Sequence, residues 1–265
     1  VAAPIVPFHF GPPERRLFGC LHVPGAGRAS RGVVLCHPFG HEAIQFHRAL
    51  GQLALHLAGA GLAVLRFDAG GCGDSAGTSE DVRLGSWVHD ISAAVDELLW
   101  RQPDLRRVDL VGLRLGGTLA CLAAARRGDI ERLALWDAVP TGRAHLEQLT
   151  ARHRRLVRMA HVLPTTDDER DGPRQLLGFA LAQELVDELA ALDPSHLDRR
   201  PAARVLLLTS HPDADPSPLR ERLVALGAAV DEQRQPAPAL WELQEDFGRQ
   251  LVPFALLQSI VAWLA

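Results

Sequence analysis

The chain has 265 residues, 28 lysine plus arginine against 32 aspartate plus glutamate, a formal net charge of −4, and 47% hydrophobic residues. That length carries one sizeable α/β core with room for an insertion, and the composition excludes a disordered or fibrous chain. The mild acidity argues against a nucleic-acid binder. Because every basic residue is arginine and tyrosine is absent, lysine Schiff bases and tyrosine acids drop out of the candidate mechanisms.

Pro4, Pro7, Pro12 and Pro13 interrupt any apolar run at the start, and no stretch approaches the roughly 18 apolar residues of a membrane span. Cys20, Cys36, Cys72 and Cys121 show no metal-like spacing. The expectation is a cytoplasmic protein with reduced thiols, no membrane span, no metal and no cofactor.

Taken in order, Ile5 to Phe10 and Leu17 to Val23 read as leading strands, separated by Gly11-Pro12-Pro13. Val33 to His37 is a short buried-type strand. A helix from about Gln45 to Ala58 follows, with Leu50, Leu53 and Leu57 at helical spacing. Leu62 to Phe67 is a strand, Ser86 to Trp100 a helix, Val108 to Leu113 a strand, Leu115 to Arg127 a helix and Leu133 to Trp136 a strand. This alternation predicts right-handed crossovers and a mainly parallel sheet. Between Pro140 and Arg200 the pattern reads as helical only, about Arg143 to His161 and Arg174 to Leu192, joined by the acidic Asp167-Asp168-Glu169. Strand and helix signals resume at Arg204 to Thr209, Leu219 to Leu226, Ala228 to Gln233 and Val252 to Leu264. The expected organisation is a core split into residues 1–139 and 201–265, with 140–200 inserted as a helical lid over the strand ends.

The most informative stretch is Val111-Gly112-Leu113-Arg114-Leu115-Gly116-Gly117. A strand enters a tight turn with small residues two before and two after the central position, then passes at once into a helix. That is the nucleophile elbow, G-x-S-x-G, of the α/β-hydrolase fold. Arg114 stands at its centre, where a nucleophile would be required. A guanidinium is protonated at any working pH and has no nucleophilic lone pair. In this fold the acid follows the strand Val205 to Leu208, where Asp213 and Asp215 stand, and the base belongs between Pro236 and Gln250. No histidine occurs after His211, so a Ser-His-Asp acyl-enzyme is excluded at two of three positions. Trp241 and Glu245 fall where the base would be, and Trp241 reads as a pocket wall.

Beyond the superfamily, the chain resembles the exosortase A system-associated hydrolase 2 family. The resemblance rests on His37-Pro38-Phe39 with Glu42, Phe67-Asp68 with the Gly71-to-Gly77 turn, the arginine-bearing elbow, Leu135-Trp136 with Val139-Pro140, and more loosely Gly178-Phe179 and Pro238 to Trp241. It implies a setting of acyl activation and carrier-protein chemistry.

A cation at a helix N-terminus opposes the helix dipole, and burying it calls for an anion nearby. Glu42 and Asp213 are the protein candidates; a bound carboxylate, phosphate or thioester-linked group is the ligand alternative, and the two are compatible. The backbone of Phe39, Gly40 and Leu115 occupies the positions of an oxyanion hole. His37 is either a loop-fixing hydrogen bonder or a proton-transfer group. His41, His211, Trp136 and Trp241 are expected to line the substrate pocket. Ser75, Cys36 and Cys72 read first as structural, with Ser75 or Cys36 the displaced nucleophile if ordinary hydrolysis survives. Arg152, Arg154, Arg155 and Arg158 concentrate positive charge on the insertion, either as a solvated face or as a surface for a phosphate-bearing or acidic carrier protein. The expected function is binding or processing of an acyl, ester, thioester or carboxylate-bearing substrate without a covalent serine intermediate; the rival is a catalytically inactive partner of a biosynthetic assembly.

Overall fold

The computed structural model describes residues 4–25, 28–159, 174–211, 214–237 and 251–265. In chain order these form strands β1 (Ile5–Phe10), β2 (Leu17–His22) and β3 (Arg31–Cys36), helix α1 (His41–Gly59), β4 (Ala63–Phe67), α2 (Leu84–Arg101), β5 (Arg107–Leu113), α3 (Leu115–Arg127) and β6 (Arg132–Trp136). There follow α4 (Gly142–Met159), β7 (Arg174–Leu176), β8 (Phe179–Leu181), α5 (Gln183–Ala191), β9 (Arg204–Thr209), α6 (Ser217–Ala225), β10 (Ala229–Arg234) and α7 (Phe254–Leu264).

Eight strands make one sheet in the order β1-β2-β4-β3-β5-β6-β9-β10. Pairing is antiparallel at β1–β2 and β2–β4 and parallel from β4 through β10. This is the α/β-hydrolase arrangement. Alternation along each strand sends side chains to two apolar layers. Val33, Leu35, Val111 and Leu113 face α1 and α7, together with Phe46, Leu53, Leu257 and Ile260. Val34, Cys36, Val108 and Leu110 face the other way, toward α2 and α3, with Trp87, Ile91, Leu98 and Leu119. A helix on each side of a parallel sheet leaves the C-terminal strand ends open at one edge, where connecting loops converge.

Most boundaries agree with the sequence reading to within a few residues; the insertion does not. Residues 174–181, expected to continue a helix, form the two-stranded hairpin β7–β8. Its turn is Leu177-Gly178, both at positive φ (54° and 89°), the two-residue hairpin geometry that matches strand twist. Gly178 makes that turn accessible. The acidic Asp167-Asp168-Glu169 loop lies outside the described residues. No helix among the described residues is long and apolar enough to cross a membrane.

Candidate functional site

The elbow keeps its backbone. Arg114 is the N-cap of α3 at φ 53°, ψ −127°, and Gly40 caps α1 in nearly the same conformation, φ 62°, ψ −133°. Glycine adopts it freely; a residue with a Cβ is strained there by about 1–3 kcal/mol. The flanking glycines are fixed by close approach. A Cβ on Gly112 would lie 2.4 Å from the Gly117 Cα, and one on Gly116 would lie 2.3 Å from the carbonyl oxygen of His37. The turn thus packs backbone to backbone against the end of β3 and lifts Arg114 to the sheet edge.

At that edge the guanidinium is buried, with 6% of the residue exposed. Arg114 Nε donates at 3.4 Å to both Glu42 oxygens and Nη2 at 3.3 Å to Oε1. A 2.8 Å bond runs from Nη2 to Gln148 Oε1, while Nη1 reaches the Asp137 carbonyl oxygen at 3.5 Å. Glu42 is wholly buried in the first turn of α1, and it also accepts from Arg152 Nη1 at 2.8 Å. Two guanidinium groups therefore share this carboxylate. Burial would raise the Glu42 carboxyl, but Arg114, His145 and Arg152 outweigh it and bring it down to about 2. Burial pushes His145 down to about 4, with Glu42 working against the shift and the two arginines reinforcing it. His145 is thus uncharged at neutral pH, and the guanidinium groups hold Glu42 ionised. Three members of the cluster, His145, Gln148 and Arg152, come from one face of α4 at i, i+3, i+7. Sequence reading missed His145 and Gln148 and placed Arg152 with its solvated neighbours. The helical spacing of three polar side chains beside the buried Leu146 and Leu149 was the available signal.

The other candidates separate clearly. His37, at the end of β3, has Nδ1 2.7 Å from the Pro38 carbonyl oxygen and Nε2 3.9 Å from Asp68 Oδ1. Phe39 packs on Trp87 and Phe179, with centroids 4.9 and 5.8 Å apart. Phe39 and Gly40 lead into the N-terminus of α1 and Leu115 opens α3; Phe39 and Leu115 line one small cavity together with His37 and Gly116. His41 is half-buried, 3.4 Å from the Gln45 amide nitrogen. Burial and then Arg152 lower its pKa, with Glu42 opposing. His211 follows β9, its N–H 3.5 Å from Asp137 Oδ1. Asp137, at φ 45°, also accepts from the Ser210 N–H at 2.8 Å and from its hydroxyl, tying the ends of β6 and β9 together.

Trp136 is a correction: it is 1% exposed and stacks edge-on against Phe46 in the α1/α7 layer, centroids 5.5 Å apart. It belongs to the core, because its place on β6 alternates toward α1 rather than the loop edge. Ser75 is structural: its hydroxyl accepts from the Phe18 N–H at 2.8 Å and donates to the Asp68 carbonyl oxygen at 2.5 Å. Burial pushes the Cys36 thiol far up, and burial, then Asp68 and Asp90, raises Cys72 to about 12; neither is an activated nucleophile. Asp213, Trp241 and Glu245 lie outside the described residues. Among the described residues no cluster of His, Cys, Asp and Glu could hold a metal ion.

A cavity of about 630 Å³ opens next to this edge, between α1 and the face of β2 and β4, and shares His37, Phe39 and Gly40 with the elbow's surroundings. Arg114 does not line it.

The whole chain can be superposed on solved structures at low identity. Est1E from Butyrivibrio proteoclasticus with bound ferulic acid gives a TM-score of 0.68 at 18% identity, covering 97% of each chain. A hypothetical protein, PA2218, from Pseudomonas aeruginosa gives 0.66 at 17%, covering 99% of this chain and 94% of that one. An alpha-beta serine hydrolase homologue from Coxiella burnetii gives 0.60 at 15%, covering 98% and 97%. These likenesses show the fold. No curated protein matches the sequence. Residues 27–193, more than half of the chain and including the arginine-bearing elbow, match the family described as serine aminopeptidase, S33, and the chain belongs to that family of α/β-hydrolases.

Proposed function

We propose that this is an α/β-hydrolase-fold protein with a degenerate triad, which binds or processes an acyl, ester, thioester or carboxylate-bearing substrate without a covalent serine intermediate. The observation that carries this reading is the elbow itself. Its strained backbone is kept at Arg114, yet the side chain it lifts is a buried guanidinium bonded at 3.3–3.4 Å to a carboxylate that Arg152 also holds. Those bonds are long for a charged pair, and Gln148, which takes the short one, is exposed. An incoming carboxylate or phosphate can replace Gln148 on Nη2 and gain the bidentate geometry that arginine favours. Arg114 is then the anion anchor and Glu42 its orienter. The amides of Phe39, Gly40 and Leu115 polarise a carbonyl, and His37 moves a proton. The inserted segment, α4 to α5, acts as a lid, because it supplies Gln148 and Arg152 from above. His41 and His211 line the approach.

The resemblance to the exosortase A system-associated hydrolase 2 family suits a cytoplasmic, biosynthetic setting in which an acyl carrier protein presents the substrate. A second reading, a catalytically inactive partner of such an assembly, is favoured by Arg154, Arg155 and Arg158, all exposed on α4, which form a surface for an acidic carrier. Under either reading a fluorophosphonate probe leaves the purified protein unlabelled, as read by intact mass. Stoichiometric labelling of one serine overturns both.

A further inference from the structure

The 630 Å³ cavity has a recognition chemistry of its own, separate from the arginine cluster. It lies on the sheet face that α1 covers only in part. Phe18 and Cys20 of β2, Arg66 of β4 and Leu35 of β3 form its floor, and Ala43, Ile44, His47 and Leu50 of α1 form one wall. Its volume falls in the range of small-molecule sites, about 300–1,000 Å³, and its lining is mostly apolar.

At the loop end of this cavity two hydrogen-bond acceptors face each other. A carbonyl oxygen can only accept, so the 2.7 Å contact between His37 Nδ1 and the Pro38 oxygen places the proton of the neutral ring on Nδ1. Nε2 is then an acceptor. It is buried and receives no hydrogen bond from any described residue. Asp68 Oδ1 lies 3.9 Å from it. The Asp68 carboxylate is held in place, because its Oδ2 accepts from the Asp74 N–H at 3.0 Å and the chain at Gly73 wraps so closely that a Cβ there would be 2.1 Å from Oδ2. Two acceptors 3.9 Å apart cannot bond to each other. Both can be bonded by a single atom bearing two or more hydrogens, about 2.8–2.9 Å from each.

The charge pattern selects among such donors. Asp68 and Asp74 line the loop end of the cavity. Arg66 sits two residues back along β4, about 7 Å away by strand rise, with its Nε donating to His22 Nε2 at 3.2 Å. A cationic donor is therefore favoured at the loop end and disfavoured at the floor. We propose that this cavity binds a small primary amine with an aliphatic or aromatic body, its ammonium donating to His37 Nε2 and Asp68 Oδ1 and its body lying over Phe18 and Leu35 against α1. The ammonium satisfies both acceptors and its charge is met by Asp68, while the apolar body removes water from the lining.

The inference goes beyond the anion-anchor reading, and the experiment separates the two. Hexylamine, hexanol and hexanoate are titrated calorimetrically into the wild-type protein, Asp68→Asn and Ala43→Trp. Hexylamine is expected to bind at least tenfold more tightly than hexanol. Asp68→Asn should lose that tenfold preference while leaving the hexanol and hexanoate affinities unchanged. Ala43→Trp, which fills the cavity without altering a charge, should abolish hexylamine binding, and it decides the matter if Asp68→Asn does not fold. Equal affinity for amine and alcohol overturns the proposal, as does hexylamine binding that survives both variants. Hexanoate binding that is lost in Ala43→Trp would assign the cavity to Arg66 and an anion instead. A failure of hexylamine to bind leaves the Arg114 reading standing, since that reading is tested by the carboxylate alone.

Discussion

Glu42→Gln is expected to destabilise the protein by about 3–5 kcal/mol, the usual cost of removing one member of a buried ion pair. The asymmetry within the cluster makes this informative. Glu42 is shared by Arg114 and Arg152, so neutralising it leaves a buried and a partly buried guanidinium group facing each other across an amide. Arg114→Met is expected to cost less, about 1–3 kcal/mol, because it leaves the Glu42–Arg152 pair at 2.8 Å intact. Urea denaturation of the two variants at neutral pH checks the order. A loss below about 1 kcal/mol for Glu42→Gln would mean that the carboxylate does not hold the two cations.

The same variant carries a pH signature. The Glu42 carboxyl lies near 2 in the folded protein against an ordinary 4.5, so its stabilisation is complete above 4.5 and is lost as the pH falls toward 2. The gap between wild type and Glu42→Gln should therefore close over that window. His145 adds an earlier loss in both proteins, larger in Glu42→Gln, where the carboxylate no longer opposes the shift. Its imidazole lies near 4 when folded against 6.5 otherwise; the unfolded chain takes up a proton first, and stability declines from pH 6.5 down to 4.

Gly116→Ala should be at least as damaging, more than about 4 kcal/mol and in the range where expression fails. The added methyl would sit 2.3 Å from the His37 oxygen and 2.4 Å from the Cys36 oxygen. Both are backbone atoms at the end of β3, which is hydrogen-bonded on both sides in the sheet and has no rotamer to yield. Gly85→Ala on α2 is the matching control. Beyond its own helix backbone nothing lies within 4 Å of its added Cβ, and alanine there should stabilise the helix by about 0.5–1 kcal/mol. Thermal melts of the two variants measure the contrast, and a Gly116→Ala protein as stable as wild type would show that the elbow is not packed as described.

What the sequence revealed of this fold follows from where local and global signals agree. The β5–α3 junction is legible because an apolar run, two spaced glycines and a helical repeat each place the boundary at Arg114. The β7–β8 hairpin is not, since Leu176, Leu177, Phe179 and Leu181 suit a short strand or a buried helix equally, and only the positive φ at Leu177 and Gly178 decides between them. Arg114 and Glu42 could be paired in advance because a buried cation requires an anion and the loop after β3 supplies one. Arg152 could not, since its immediate company is Arg154 and Arg155, and only the packing of α4 turns it inward. Trp136 was misplaced for a related reason: nearness in sequence to a loop edge does not fix which face of a strand a side chain takes.

The most direct test of the central claim, that a guanidinium handles an anion where this fold mounts its attacking atom, is calorimetric titration of hexanoate into wild type, Arg114→Lys and Arg114→Ala. The account predicts saturable binding to wild type, weakened at least tenfold, about 1.4 kcal/mol, in both variants, because lysine keeps the charge but not the fork. Equal affinity in all three folded proteins would contradict it.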